Sequence, residues 1–96
     1  MAGKLNDESI QAWLEGRKGW KLRDDRLVKE FRFPAFRDSI VFVNRLAGIA
    51  DQMGHHPEID IRYDLVRVIL TTREAKGLTD ADLKAAEQID FATSVR

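Results

Sequence analysis

The two histidines of this chain stand side by side, at His55 and His56, within the stretch 51–73 that reads DQMGHHPEIDIRYDLVRVILTTR. Imidazole exchanges protons near neutral pH, so such a pair at the rim of one cleft suits general acid and base chemistry. Successive side chains of an extended loop point in different directions, so the two can share a rim without stacking. Other readings share the motif: an exposed His-His-Pro corner, a histidine bonding a helix-end carbonyl, or a metal site completed by Asp51, Glu58 or Asp60. The metal reading lacks the i, i+4 helical spacing and the cysteine partner of familiar zinc patterns. Gly-rich phosphate loops and G-x-S-x-G elbows are missing, which leaves nucleotide hydrolysis and serine esterase chemistry without support. Asp51 is placed to orient or charge-stabilise a histidine. Asp82 suits a helix N-terminus, and takes part in chemistry if that helix start borders the histidine cleft.

A loop holding such residues needs elements on both sides. Apolar periodicity predicts a helix from about Phe36 to Met53 with two adjacent stripes: Phe36, Ile40, Val43, Ala47 and Ala50, then Phe42, Leu46, Ile49 and Met53. A helix packed on one sheet needs an apolar arc of about 100° or somewhat more, and these stripes cover about half the circumference. The second stripe therefore either lies deep in the chain's own core or meets a second subunit, and a subunit contact is the expectation. Gly54 suits the left-handed position that ends such a helix, and Pro57 pushes His56 toward an extended backbone.

Upstream, Asn6 or Asp7 caps a first helix with Ile10, Trp13 and Leu14 on its apolar stripe, and Gly16 ends it. Residues 20–23, a turn at Asp24 and Asp25, and a strand with Leu27, Phe31 and Phe33 on one face read as a hairpin stopped by Pro34. Downstream, Ile59, Ile61 and Tyr63, then Val66, Val68 and Leu70, alternate with their neighbours around a turn near Tyr63 and Asp64. Thr79 is the expected N-cap of a last helix reaching about Thr93, with Asp82 three residues on and Leu78 and Leu83 as a hydrophobic staple. The order helix, two strands, helix, two strands, helix predicts an α+β fold over a single domain, residues 1–96. Its four-stranded sheet is mainly antiparallel, with helices on one face.

Composition narrows the function. Sixteen Lys and Arg balance sixteen Asp and Glu, so the chain has no strong basic footprint of a nucleic-acid binder beyond a local patch. Hydrophobic residues at 44% and charged residues at 33% describe a folded globular chain rather than a disordered one. The lack of cysteine removes disulfides, thiolate metal sites and thiol nucleophiles, and fits a reducing compartment. No segment is long and apolar enough to span a bilayer, and MAGKLNDE at the N-terminus has no apolar run of signal-peptide type. The expectation is a folded, cytoplasmic protein.

The run Asp51, His55, His56 and Pro57, then Tyr63, Thr71, Thr72, Gly77, Leu78, Thr79 and Asp82, resembles the pterin-4a-carbinolamine dehydratases. The similarity extends upstream through the long helix and the phenylalanine-rich stretch 31–36 to the hairpin at Trp20, without a large gap. The resemblance implies a four-stranded antiparallel sheet with three helices on one side, a homodimer or homotetramer, and no metal or redox cofactor. It implies loss of water from a 4a-hydroxytetrahydropterin to give the quinonoid dihydropterin. That is one step in regenerating the tetrahydrobiopterin-type cofactor of aromatic amino-acid hydroxylases, which makes a hydroxylase a pathway partner. On this resemblance His55 and His56 are the acid and base, Asp51, Arg73 and Asp82 bind substrate, and neither nucleic acid nor membrane is a partner.

Two positions depart from the family. Arg73 stands where active members usually carry a third pocket histidine, and a guanidinium can donate hydrogen bonds or hold an anion but cannot shuttle a proton. If Arg73 faces the cleft, a ligand with a carboxylate or phosphate fits. Ile59 replaces a tryptophan common after His-His-Pro-Glu, which removes an aromatic wall or a packing anchor. Two expectations result. One is a dehydratase; the other is a catalytically weakened relative that works as a binding or regulatory homo-oligomer, as some animal relatives do with a transcription factor.

Overall fold

The computed structural model describes residues 3–94. Asn6 opens helix α1 (Asp7–Leu14) by accepting the Ser9 N–H on its side-chain oxygen at 2.8 Å, which satisfies one of the free donors of the first turn. Trp20 lies just before strand β1 (Lys21–Arg23) rather than opening it, and its ring is buried in the core. Asp24 and Asp25 then take left-handed backbone, with φ of 48° and 63°, the conformation that matches a two-residue hairpin to the twist of its strands. Strand β2 (Arg26–Arg32) buries Leu27 and Phe31. Phe33 falls one residue beyond that strand and donates its N–H to the Asp64 carbonyl at 2.8 Å.

Helix α2 (Phe36–Met53) has the expected span. Strands β3 (Glu58–Arg62) and β4 (Leu65–Leu70) form the second hairpin, with Tyr63 at φ 56° in its turn. A 3-10 turn at Arg73–Ala75 leads on to helix α3 (Asp80–Ser94). The strands lie in the order β1-β2-β4-β3, every neighbouring pair antiparallel, so the two hairpins meet at β2 and β4 and leave β1 and β3 as edges. Leu27 sits opposite Leu70 and Phe31 opposite Val66. Because side chains alternate, Leu27, Phe31, Val66, Val68 and Leu70 all enter the core beneath the three helices, and Val28, Glu30, Arg67 and Ile69 face the other way. This is the expected α+β architecture. Among the described residues no helix is long and apolar enough to cross a membrane.

The second stripe of α2 does not take its expected role. Phe42 and Leu46 are buried, Leu46 at 1% exposure, so the stripe expected to meet a second subunit belongs to the chain's own core. The physical reason is that α2 packs against α3 as well as against β4, so a wide apolar arc is covered within one chain. The other stripe is mixed: Ala50 is buried and Val43 packs against the core, while Phe36 is 47% exposed and stacks on the exposed Tyr63, with rings 6.2 Å apart and 8° from parallel. Leu46→Ala is expected to lower stability by about 2–5 kcal/mol through lost burial and a residual cavity. Urea unfolding followed by circular dichroism measures it.

Candidate active site

Helix α2 delivers the histidines. Gly54 adopts φ 64°, and its N–H and that of His55 both reach the Ala50 carbonyl, which sets the direction in which the chain leaves the helix. The opposite wall comes from the end of β4. Beyond Leu70, Thr72 pairs with Gly77 through two backbone hydrogen bonds of 3.0 and 3.4 Å, closing a small loop that carries Arg73 and returns the chain to α3.

Beneath the loop lies Asp82, in the first turn of α3 and 0% exposed. One of its oxygens meets His55 Nε2 at 2.5 Å, and the other accepts the Thr72 hydroxyl at 2.7 Å and the Thr79 backbone N–H at 2.9 Å. A carboxylate has only acceptors to offer, so His55 presents an N–H at Nε2 to Asp82. The Thr72 hydroxyl hydrogen is committed to Asp82, so the Thr79 hydroxyl donates in the 2.8 Å contact between the two threonines. His56 Nε2 lies 3.0 Å from Asp51 Oδ1, and both side chains of that pair are mostly exposed. His55, His56, Thr71, Thr72, Ile69 and Arg73 share the wall of one cavity of about 200 Å³.

The fold thus brings His55, His56 and Arg73 to one cavity, and it places the two acidic residues elsewhere. Asp82 is absent from the lining of that cavity; its oxygens meet His55, Thr72 and Thr79, which puts it behind the imidazole. Asp51 is also outside the cavity lining and is turned to His56. The expected capping box is half formed: Asp82 takes the Thr79 N–H, but the Thr79 hydroxyl turns to Thr72. A helix-end carbonyl is bonded by the His55 backbone rather than its ring. The imidazoles are directed to separate carboxylates, and among the described residues no group of three His, Cys, Asp or Glu is placed to hold a metal ion.

Sequence reasoning had Thr72 in the family run but gave it no role, and it gave Ile69 none. The Thr72 signal was available: a carboxylate three residues past a cap needs a further donor once buried, and the end of β4 offers two adjacent hydroxyls. Ile69 carried no signal, since an apolar residue between two charged strands has no chemistry of its own.

Two carboxylate-backed imidazoles thus stand at one end of a helix-covered antiparallel sheet on an α+β scaffold. The family model described as Pterin 4 alpha carbinolamine dehydratase matches residues 3–92, and the chain belongs to that family. It is 41% identical over 86 residues to a Thermomicrobium roseum protein provisionally named pterin-4-alpha-carbinolamine dehydratase, covering 90% of this chain and 92% of that one. Among solved structures it is similar to a transcriptional coactivator/pterin dehydratase from Brucella melitensis, with a TM-score of 0.88 and 27% identity over 93% of this chain and 97% of that one. A pterin dehydratase-like protein identified as a RuBisCO assembly factor in the alpha-carboxysome shares the fold at a TM-score of 0.65. There the identity is 22%, over 78% of this chain and 89% of that one.

Removing a charged acceptor from a buried network is costly, whereas an exposed pair contributes little. Asp82→Asn is therefore expected to lower unfolding free energy by about 1.5–3 kcal/mol, and Asp51→Asn by less than about 0.5 kcal/mol. Urea midpoints of the two variants against the parent chain test this ordering.

Proposed function

We propose that this protein dehydrates a 4a-hydroxytetrahydropterin to the quinonoid dihydropterin. The observation that carries the reading is the convergence of His55 and His56 on one cavity, each backed by its own carboxylate. The reaction breaks the bond from C4a to the hydroxyl oxygen. A protonated imidazole supplies the hydrogen that makes the hydroxyl a water leaving group, the N5 lone pair forms the C4a–N5 double bond, and the second imidazole takes the N5 proton. The sum is loss of one water, with no oxidant or reductant. Asp82 and Asp51 hold the rings and stabilise the charged imidazole, as a carboxylate does behind any histidine base. Arg73 remains a cation and serves as a hydrogen-bond donor at the cavity wall. A cytoplasmic location and an aromatic amino-acid hydroxylase as the source of the carbinolamine belong to the same proposal.

A second reading, binding or regulation by a catalytically weakened oligomer, is favoured by one observation: Arg73 lines the cavity at the position where a third proton-transfer group is expected. The rate of dehydration of a carbinolamine generated in situ separates the two readings. Catalysis by the parent chain, reduced by about 10²- to 10⁴-fold in His56→Ala, supports the enzyme. An inert parent chain that gains turnover on Arg73→His supports the second reading.

Self-association is part of either proposal. Edge strand β3 carries Ile61 at 38% exposure beside the stacked Phe36 and Tyr63, so an apolar strip runs along a row of unpaired backbone groups. A second copy of the chain covers both at once, giving a homodimer or, with further contacts, a homotetramer. Ile61→Asp is expected to convert the oligomer to a folded monomer, read by sedimentation; an unchanged mass would remove β3 from the interface.

A further inference from the structure

We propose that the open face of the sheet recognises an anionic group at the end of the pterin's side chain, so that the preferred substrate class is a pterin whose substituent ends in a carboxylate or phosphate. This rests on the pterin reading of the histidine cavity. Strand register supplies the path. Lys21 pairs with Val28, Val28 with Ile69, and Ile69 with Glu58, so these four residues form one row across the sheet on the face away from the helices. Ile69 lines the histidine cavity and also lines a second hollow, of about 690 Å³, that extends over β1 and β2.

The second hollow is rich in uncommitted cations. Among the described residues the side chains of Lys21 and Arg23 have no hydrogen-bond or ion-pair partner, and Arg26 reaches Glu58 only at 4.0 Å. Arg67, by contrast, is held by Glu30 at 2.8 and 3.2 Å. The hydrogen bond from Arg67, with the fields of Arg32 and Lys21, keeps the Glu30 carboxyl below its ordinary range, which reflects the positive surroundings. Asp24 and Glu30 are the carboxylates that line the same hollow. A chain with no net charge thus gathers three available cations on one side of one hollow.

The dimensions suit an extended substituent. Strands lie about 4.8 Å apart, so Lys21 stands two spacings, about 10 Å, from Ile69. Between them Val28 and Ile69 give an apolar floor for a flat spacer, and a guanidinium binds a terminal carboxylate or phosphate in bidentate fashion. The Arg26–Glu58 pair spans the join, since Arg26 lines the second hollow and Glu58 the histidine cavity. An arriving anion competes with Glu58 for Arg26 at little cost, because an exposed pair at this distance is weak.

Isothermal titration calorimetry provides the test, with three 7,8-dihydropterins: one with a neutral dihydroxypropyl side chain, one with an aminobenzoyl-glutamate side chain, and one with a terminal phosphate. The anionic ligands are expected to bind about tenfold or more tightly than the neutral one. That preference should shrink as salt is raised, and collapse in the double variant Arg23→Gln, Arg26→Gln. Comparison of the glutamate and phosphate ligands identifies which anion the hollow prefers. Equal affinity for neutral and anionic ligands, or a preference untouched by the double variant, overturns the inference. Dehydration of the neutral carbinolamine, assayed alongside, keeps it distinct from the proposed reaction. Turnover without anion preference defeats the anion site alone, anion preference without turnover upholds it and defeats dehydration, and failure to bind any pterin defeats both.

Discussion

The Asp82 carboxylate is buried completely, and a buried carboxylate is tolerated only when its oxygens are supplied with donors. Its three donors come from three places in the chain: Thr72 after β4, Thr79 before α3, and His55 after α2. Satisfying that one group therefore draws together the ends of the sheet and of two helices. The orientation of the His55 ring follows from the same requirement, so the site geometry and the local folding of the chain are one problem with one solution. Among the described residues, the Ser39 hydroxyl in α2 is by contrast buried without a hydrogen-bond partner.

The two histidines, adjacent in sequence, are physically unlike. His55 is held against a carboxylate that water does not reach, where a hydrogen bond to a charged group is strong and directional. His56 meets Asp51 in the solvent, where screening weakens the pair and the ring is freer to move. Arg73, at the same wall, adds a permanent positive charge.

Around this corner the two faces of the sheet have separate tasks. The helix-covered face is a continuous apolar core from Leu27 to Leu70, closed by Leu46 and Ile89. Its partly buried edge also involves Ile59, which packs against that core where the family commonly has tryptophan. The uncovered face is free of packing demands and carries charge, and the register of the strands brings that charge into line with the histidine cavity.

Much of this was legible in the residues. Asn6 as a cap, the paired aspartates of the first turn, the limits of α2 and the left-handed Gly54 each follow from local backbone chemistry that needs no distant partner. Alternation identified the inward residues of β2 and β4, and Gly54 with Pro57 placed the histidines in a loop. Local chemistry could not say which stripe of α2 is core, because that depends on α3 lying beside it. Nor could it say that Asp82 belongs to His55 and Asp51 to His56, since 27 residues separate the first pair and only the closure of the fold makes them neighbours. The sequence by itself determined the elements and the chemical repertoire, because these are set by contacts within a few residues. Tertiary structure decided the pairing of acid with base and the row from Lys21 to Glu58, because both arise where remote segments meet.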